Sequence, residues 1–126
     1  MKRLFYLLAA AAFTACGSAT TLGVMTFNMR YDNPEDGANN WRFRRGRVAE
    51  VIASHGVDVF GTQELLANQL GDLKRLLPGY AAVGVGREDG AEAGEFSAVF
   101  YRRDRFTPLE SGTFWLSETP DVAGSK

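Results

Sequence analysis

The stretches MTFNMRY (residues 25–31) and VDVFGTQE (residues 57–64) decide the fold, because each is an apolar run that a polar side chain closes. Such runs predict two buried strands, which deliver the amide of Asn28 and the carboxylate of Glu64 at their C-terminal ends. In open α/β sheets the ligand crevice lies at the carboxyl ends of the strands. Asn28 and Glu64 are therefore the first candidates for a functional site.

Two helical patterns accompany these strands. Residues 41–55 predict a helix that Gly56 ends, and its apolar face consists of Val48, Val51, Ile52 and His55. His55 is expected to be buried there or to cap the helix, and not to take part in catalysis. A stripe of leucines predicts a second helix that Pro78-Gly79 ends, and its members are Leu66, Leu70, Leu73 and Leu77.

The remaining strands follow one another without helices between them. Residues 80–86 and 96–102 predict two strands, separated by an acidic, glycine-rich loop, and residues 106–116 predict a further short strand. A strand–helix–strand–helix unit that continues as consecutive strands indicates an α/β domain with a mixed sheet.

Length, composition and charge exclude several classes of protein. The 126 residues allow one domain. Hydrophobic residues at 45% and charged residues at 23% argue against a disordered chain, a collagen-like repeat or a coiled coil. A formal charge of -1, from 14 basic and 15 acidic residues, creates no overall field that would attract nucleic acid or an anionic membrane.

Residues 1–19 predict an export signal. Lys2 and Arg3 precede an apolar run, residues 4–13, that is too short to span a bilayer. The single cysteine, Cys16, follows Phe-Thr-Ala, which resembles the lipobox of bacterial lipoproteins with Phe13 where leucine is usual. Lipidation at Cys16 would anchor the protein to a membrane, whereas ordinary cleavage near residue 19 would leave it secreted or periplasmic. In both cases the mature domain is exported and has no disulfide.

The chemistry of the strand ends suits a hard cation. Glu64 beside Gln63 offers the minimum oxygen set for Mg²⁺, which keeps most of its waters and takes one or two carboxylates together with substrate phosphate. Asn28 can hydrogen-bond a phosphate oxygen or orient the metal-binding group. Spacing alone leaves an alternative open, in which Gln63 and Glu64 form a helix N-cap network and Asn28 forms a turn.

Weaker candidates surround these two residues. Arg30 is predicted to bind substrate phosphate through its planar guanidinium. The alternative for Arg30 is a surface ion pair with Asp32 or Glu35. Glu95 and Ser97, at the start of the predicted strand 96–102, are candidates for the substrate side of the site.

The same segments resemble the endonuclease/exonuclease/phosphatase superfamily, which contains DNase I-like nucleases, sphingomyelinases, inositol polyphosphate phosphatases and deadenylases. The resemblance begins with TFNMRYDNP (residues 26–34) and GTQE (residues 61–64). Four later segments resemble a bacterial, often exported branch, and these are GVGR (84–87), GEFS (94–97), FYRRDRF (100–106) and SGTFWLSETP (111–120). The resemblance covers residues 22–126.

This resemblance implies a fold and a site. The fold is half of a four-layered, DNase I-like α/β sandwich, with a mixed sheet and two helices on one face. Glu64 is the family's metal-binding glutamate, for Mg²⁺ or Mn²⁺, and Asn28 is its catalytic strand-end asparagine. In the family, water attacks phosphorus in line while the metal stabilises the developing charge.

The family's other active-site parts, an Asp-x-Asn strand end and an Asp-His pair, do not occur in this sequence. Residues 22–126 are therefore expected to be the N-terminal, truncated part of a metal-dependent phosphoesterase domain, and their activity is left open. The resemblance implies a phosphoester substrate (nucleic acid, phospholipid head group or sugar phosphate) and no protein partner. One alternative is a non-catalytic extracytoplasmic lipoprotein or binding module, and another is a fold that a second chain completes.

Overall fold

The computed structural model describes residues 21–126. The predicted export signal and Cys16 lie outside the described residues, and lipidation stays a prediction. The elements are β1 (Val24–Asn28), a 3-10 helix (Pro34–Asn39), α1 (Trp41–His55), β2 (Val59–Gln63), α2 (Ala67–Leu76), β3 (Tyr80–Val83) and β4 (Val99–Arg102). Among residues 21–126, no helix has the length and apolar character needed to cross a membrane.

The four strands form one mixed sheet in the order β1-β2-β4-β3. β1 and β2 are parallel, and their register pairs Asn28 with Gln63, so that both strands end at the same edge of the sheet. β4 runs antiparallel to β2 and to β3. This architecture confirms the predicted mixed α/β sheet with two helices on one face, and it places the residues that follow β1 and β2 side by side.

The core lies between the helices and the sheet. Phe60 on β2 and Phe100 on β4 are opposite each other in the sheet, and their rings stack with centroids 4.6 Å apart. Tyr80 packs edge-on against Phe60 at 5.4 Å. Trp41 and Ile52 of α1 are buried in the same cluster. The aromatic side chains of the three strands therefore form the floor on which α1 packs.

A buried carboxylate joins the two helices. Asp72 of α2 accepts a hydrogen bond from the Nε1 of Trp41 at 2.8 Å and one from Arg45 at 3.0 Å, and it also pairs with Arg75. Burial opposes ionisation of Asp72, but the hydrogen bonds from Arg45 and Trp41 hold its pKa below the ordinary value. The carboxylate thus stays charged and fixes the start of α1 against α2.

Several sequence predictions differ from the structure, three of them in the strands. Residues 106–116 form no strand, because backbone groups of this part bond locally, as the N–H of Trp115 does to the carbonyl of Pro120. β3 ends at Val83 and not at residue 86, since Gly84 has a φ of 136° and lies tight against Ala98. β4 begins at Val99 and not at residue 96; Phe96 forms only isolated bridges.

His55 is exposed, so its predicted place on the buried face of α1 is wrong. The helix ends at this residue, because Gly56 adopts a left-handed φ of 56°. The Nδ1 of His55 lies 2.8 Å from the carbonyl oxygen of Val51, which agrees with the capping interpretation. His55 stands at the opposite end of α1 from the strand ends that carry Asn28 and Glu64.

We expect Asp58 to contribute stability that is lost in acid. Its buried carboxylate accepts a hydrogen bond from the N–H of Gly23 at 2.8 Å and pairs with Arg105. The Gly23 N–H first, and then Arg105, hold the pKa of Asp58 below its ordinary value. Because the folded-state pKa is lowered, the contribution is complete above the unfolded pKa of about 3.9 and is lost as pH falls through the lower folded-state pKa.

The variant Asp58→Asn should flatten this dependence. We expect the thermal midpoint of the wild type to fall more steeply than that of Asp58→Asn as pH is lowered below about 4. Thermal unfolding followed by circular dichroism across this range measures both slopes. Parallel curves for the two proteins would show that Asp58 contributes nothing to the acid sensitivity.

Candidate functional site

The structure brings together the two residues that close the parallel strands. Asn28 Nδ2 donates a hydrogen bond to Glu64 Oε1 at 2.9 Å. The backbone N–H of Tyr31 donates to Glu64 Oε2 at 3.4 Å. Each carboxylate oxygen of Glu64 therefore has one N–H donor and keeps lone-pair capacity for a further ligand.

The surroundings of Glu64 favour its ionised form. The hydrogen bond from Asn28 is the largest cause that lowers the pKa of Glu64 below its ordinary value, and the Tyr31 N–H and the charge of Arg30 add to it. These contacts outweigh partial burial, which acts in the opposite direction. At neutral pH the strand edge consequently carries a fixed carboxylate.

Two strained backbone positions shape this edge. Within residues 21–126, Arg30 and Glu64 are the non-glycine residues with positive φ, at 52° and 56°. A left-handed conformation costs a side-chain-bearing residue about 1–2 kcal/mol, so surrounding contacts must hold it. In the first turn, the N–H of Arg30 donates to Asn28 Oδ1 at 2.8 Å. Both positions lie just after a strand, where Asn28 and Glu64 meet.

Arg44 of α1 holds the first turn. Its guanidinium donates to the carbonyl oxygens of Met29 and Arg30, and its Nε donates to the carbonyl oxygen of Asn39 at 2.9 Å. These three carbonyls face one planar donor group, which suits the fixed geometry of arginine. Arg44 thereby stabilises the left-handed conformation of Arg30.

Gln69 of α2 holds the same turn. Its side chain is fully buried, and its Nε2 donates to the carbonyl oxygen of Arg30 at 3.0 Å. Its Oε1 accepts from the N–H of Leu66 at 3.0 Å and from the N–H of Asp32 at 3.2 Å. Gln69 therefore links the turn after β1 to the start of α2, and so to the segment that carries Glu64.

Arg30 has a protein partner, although neither of those considered from the sequence. Its guanidinium makes two hydrogen bonds to Asp36, at 3.0 and 3.1 Å, rather than pairing with Asp32 or Glu35. This contact raises the pKa of Arg30 and lowers that of Asp36. Because the Arg30 side chain is half exposed, its guanidinium can exchange the Asp36 carboxylate for a phosphate oxygen. Phosphate binding by Arg30 stays a prediction.

Glu64 lies at the wall of a cleft of about 580 Å³. The candidates Glu95 and Ser97 line the same cleft, together with Arg87 and residues 113–116. The structure thus places the three sequence candidates Glu64, Glu95 and Ser97 around one space. Residues 113–116 were not expected there, since the sequence pattern predicted a strand.

Glu64 is a fitting ligand for magnesium but not for a cation that needs several side chains. Within the described part of the chain, no group of three or more Asp, Glu, His or Cys side chains is arranged to hold a metal ion. One ionised carboxylate with free lone pairs suits Mg²⁺, which keeps several waters and shares its remaining positions with substrate phosphate. The chemistry of the donor set therefore agrees with Mg²⁺ or Mn²⁺ at Glu64.

Comparison with known proteins identifies the family that has this mixed sheet and these paired strand ends. The chain belongs to the Endonuclease/Exonuclease/phosphatase family, whose model matches residues 25–124. Among solved structures it is similar to an endonuclease/exonuclease/phosphatase from Bacteroides vulgatus, at 51% identity with a TM-score of 0.79 over 80% of this chain. It is also similar to the mannosyl-6-phosphatase of Bacteroides thetaiotaomicron, at 48% identity with a TM-score of 0.79 over 82% of this chain.

A functionally unknown protein from Enterococcus faecalis matches at 32% identity with a TM-score of 0.75 over 81% of this chain. No curated protein matches the sequence. The chain spans about two fifths of the structures it resembles, since the matched part covers 39% of both Bacteroides chains and 40% of the Enterococcus chain. What those whole proteins do therefore bears on this chain only as a proposal.

Proposed function

We propose that this chain supplies the metal-binding and phosphate-facing part of a Mg²⁺- or Mn²⁺-dependent phosphoesterase site. The observation that carries the proposal is the 2.9 Å hydrogen bond between Asn28 and Glu64 at the ends of two adjacent parallel strands. The lowered pKa of Glu64 supports it, because a metal-binding carboxylate must be ionised at neutral pH. Membership of the Endonuclease/Exonuclease/phosphatase family supports phosphoesters as the class of substrate.

The protein groups have distinct roles in this proposal. Glu64 holds the cation, which when bound polarises a phosphoryl oxygen and stabilises the leaving oxygen. Asn28 orients the Glu64 carboxylate through its Nδ2. Arg30 offers a second positive charge to the phosphate if its guanidinium exchanges Asp36 for a phosphate oxygen.

A sugar phosphate is the substrate class we favour among the three that the family suggests. The mannosyl-6-phosphatase relative, at 48% identity, supports a phosphomonoester on a sugar. The near-zero net charge of the chain gives no electrostatic support for a nucleic-acid substrate. Its cleft beside Glu64 has the size of a small-molecule site.

Titration of inorganic phosphate by calorimetry, with and without Mg²⁺, tests this proposal. We expect phosphate binding to require Mg²⁺ and to weaken by at least about tenfold in Glu64→Gln, which keeps the shape but loses the charge. Glu50→Gln is the matched control, because Glu50 is exposed on α1. Phosphate binding that is independent of Mg²⁺, or equal in the two variants, would favour the non-catalytic binding module instead.

A further inference from the structure

One wall of the cleft beside Glu64 is apolar and exposed without a role in the core. Phe114 and Leu116 are 68% and 92% exposed and line the cleft. Exposed apolar side chains in a surface cleft commonly mark a binding site. Trp115 between them is held in place, since its Nε1 donates to the carbonyl of Arg87 at 2.6 Å and its N–H to the carbonyl of Pro120 at 2.9 Å. The wall is therefore anchored at Trp115, with its apolar neighbours turned to solvent.

Polar groups face the same space. Arg87 and Glu95 form an ion pair at 2.9 Å, and both side chains line the cleft. Ser97 and Thr113, which carry hydroxyl groups, also line it. A carboxylate, a guanidinium and hydroxyls beside aromatic rings can satisfy a ligand that has many hydroxyl groups at its edge and apolar C–H groups on its faces. A pyranose ring has this chemistry.

We propose that the cleft formed by residues 113–116, Arg87 and Glu95 is the subsite for the hexose ring of a phosphorylated sugar. Phe114 and Trp115 contact a face of the ring, and the Arg87–Glu95 pair hydrogen-bonds its hydroxyls. The phosphate then reaches Glu64 at the wall of the same cleft. The placement of the phosphate at Glu64 rests on the proposed function. Binding of the sugar ring in the cleft is independent of it.

Binding measurements on Phe114→Ala test the subsite directly. We expect wild type to bind mannose 6-phosphate more tightly than glycerol 3-phosphate by about three- to tenfold, and Phe114→Ala to remove this preference. Phe43→Ala is the matched control, because Phe43 is 61% exposed on α1 and does not line the cleft. Equal affinities for the two probes, an unaltered preference in Phe114→Ala, or tighter binding of adenosine monophosphate would overturn the assignment.

A probe without phosphate separates this inference from the proposed function. Methyl α-mannoside, added without Mg²⁺, should shift the amide resonances of residues 113–116 in both wild type and Glu64→Gln. Glu95→Gln should weaken these shifts, because the mannoside then faces a neutral amide in place of a carboxylate. Absence of shifts in wild type would contradict the sugar subsite, even if phosphate still binds through Mg²⁺.

Discussion

Replacing Phe60 with alanine is expected to lower the free energy of unfolding by about 3–5 kcal/mol, the range found for phenylalanine truncated in a core. Phe60 is fully buried on a central strand, stacked on Phe100 and in edge contact with Tyr80. Removal of its ring eliminates both aromatic contacts and leaves a cavity under α1. Since domains of this size have a total stability of about 5–15 kcal/mol, this loss removes a large share of it.

Urea unfolding followed by tryptophan fluorescence measures this loss, because Trp41 is buried in the same cluster. Phe43→Ala is a suitable control: it removes the same ring from an exposed position and should change the free energy of unfolding by no more than about 0.5 kcal/mol. Similar losses for the two variants would mean that Phe60 is not at the centre of the core.

Replacing Gln69 with leucine should cost about 2–4 kcal/mol, because each buried polar group left without a partner costs about 1–3 kcal/mol. Leucine has nearly the same volume but neither accepts from the N–H groups of Leu66 and Asp32 nor donates to the carbonyl of Arg30. The carbonyl oxygen of Arg30 then keeps only the hydrogen bond from Arg44. We therefore expect weaker metal binding in addition to lower stability.

Trp41→Phe separates these two effects. It removes the hydrogen bond from the indole to Asp72, a buried contact between α1 and α2, and keeps an aromatic ring beside the Arg44 guanidinium, which lies 5.0 Å from the Trp41 ring centroid. This variant should lose stability but keep the wild-type affinity for Mn²⁺, whereas Gln69→Leu should lose both, as urea unfolding and calorimetry can determine. Equal Mn²⁺ affinity in Gln69→Leu and wild type would show that Gln69 stabilises the fold without positioning Glu64.

The sequence was sufficient where a local pattern determines the structure. The predicted bounds of the first helix, residues 41–55, are those of α1, because its N-cap Asn40 and its C-cap Gly56 are local signals. The end of β1 at Asn28 and the end of β2 at Gln63, next to Glu64, were located for the same reason, since apolar runs mark where each strand stops. Their hydrogen bond follows from the parallel pairing of β1 and β2, which the helix between them indicates.

The contacts that hold the site in place could not be predicted from local sequence patterns. Gln69 and Arg44 bind backbone carbonyls of a turn that lies far away in the sequence, and periodicity identifies a face of a helix but not its partner. A glutamine at a buried position within the leucine stripe of α2 was the available signal. The cleft wall at residues 113–116 was missed because its aromatic residues have the composition of a strand, while their backbone bonds locally.

A Mn²⁺ titration followed by ¹H–¹⁵N NMR tests the central claim most directly, because paramagnetic broadening reports which nuclei lie near the bound ion. The side-chain NH₂ of Asn28 and the backbone amide of Tyr31 both donate to the Glu64 carboxylate and should broaden first. In Glu64→Gln this selective broadening should disappear, while Glu50→Gln should behave as wild type. Broadening that centres elsewhere, or that persists at Asn28 and Tyr31 in Glu64→Gln, would contradict a metal site at the ends of β1 and β2.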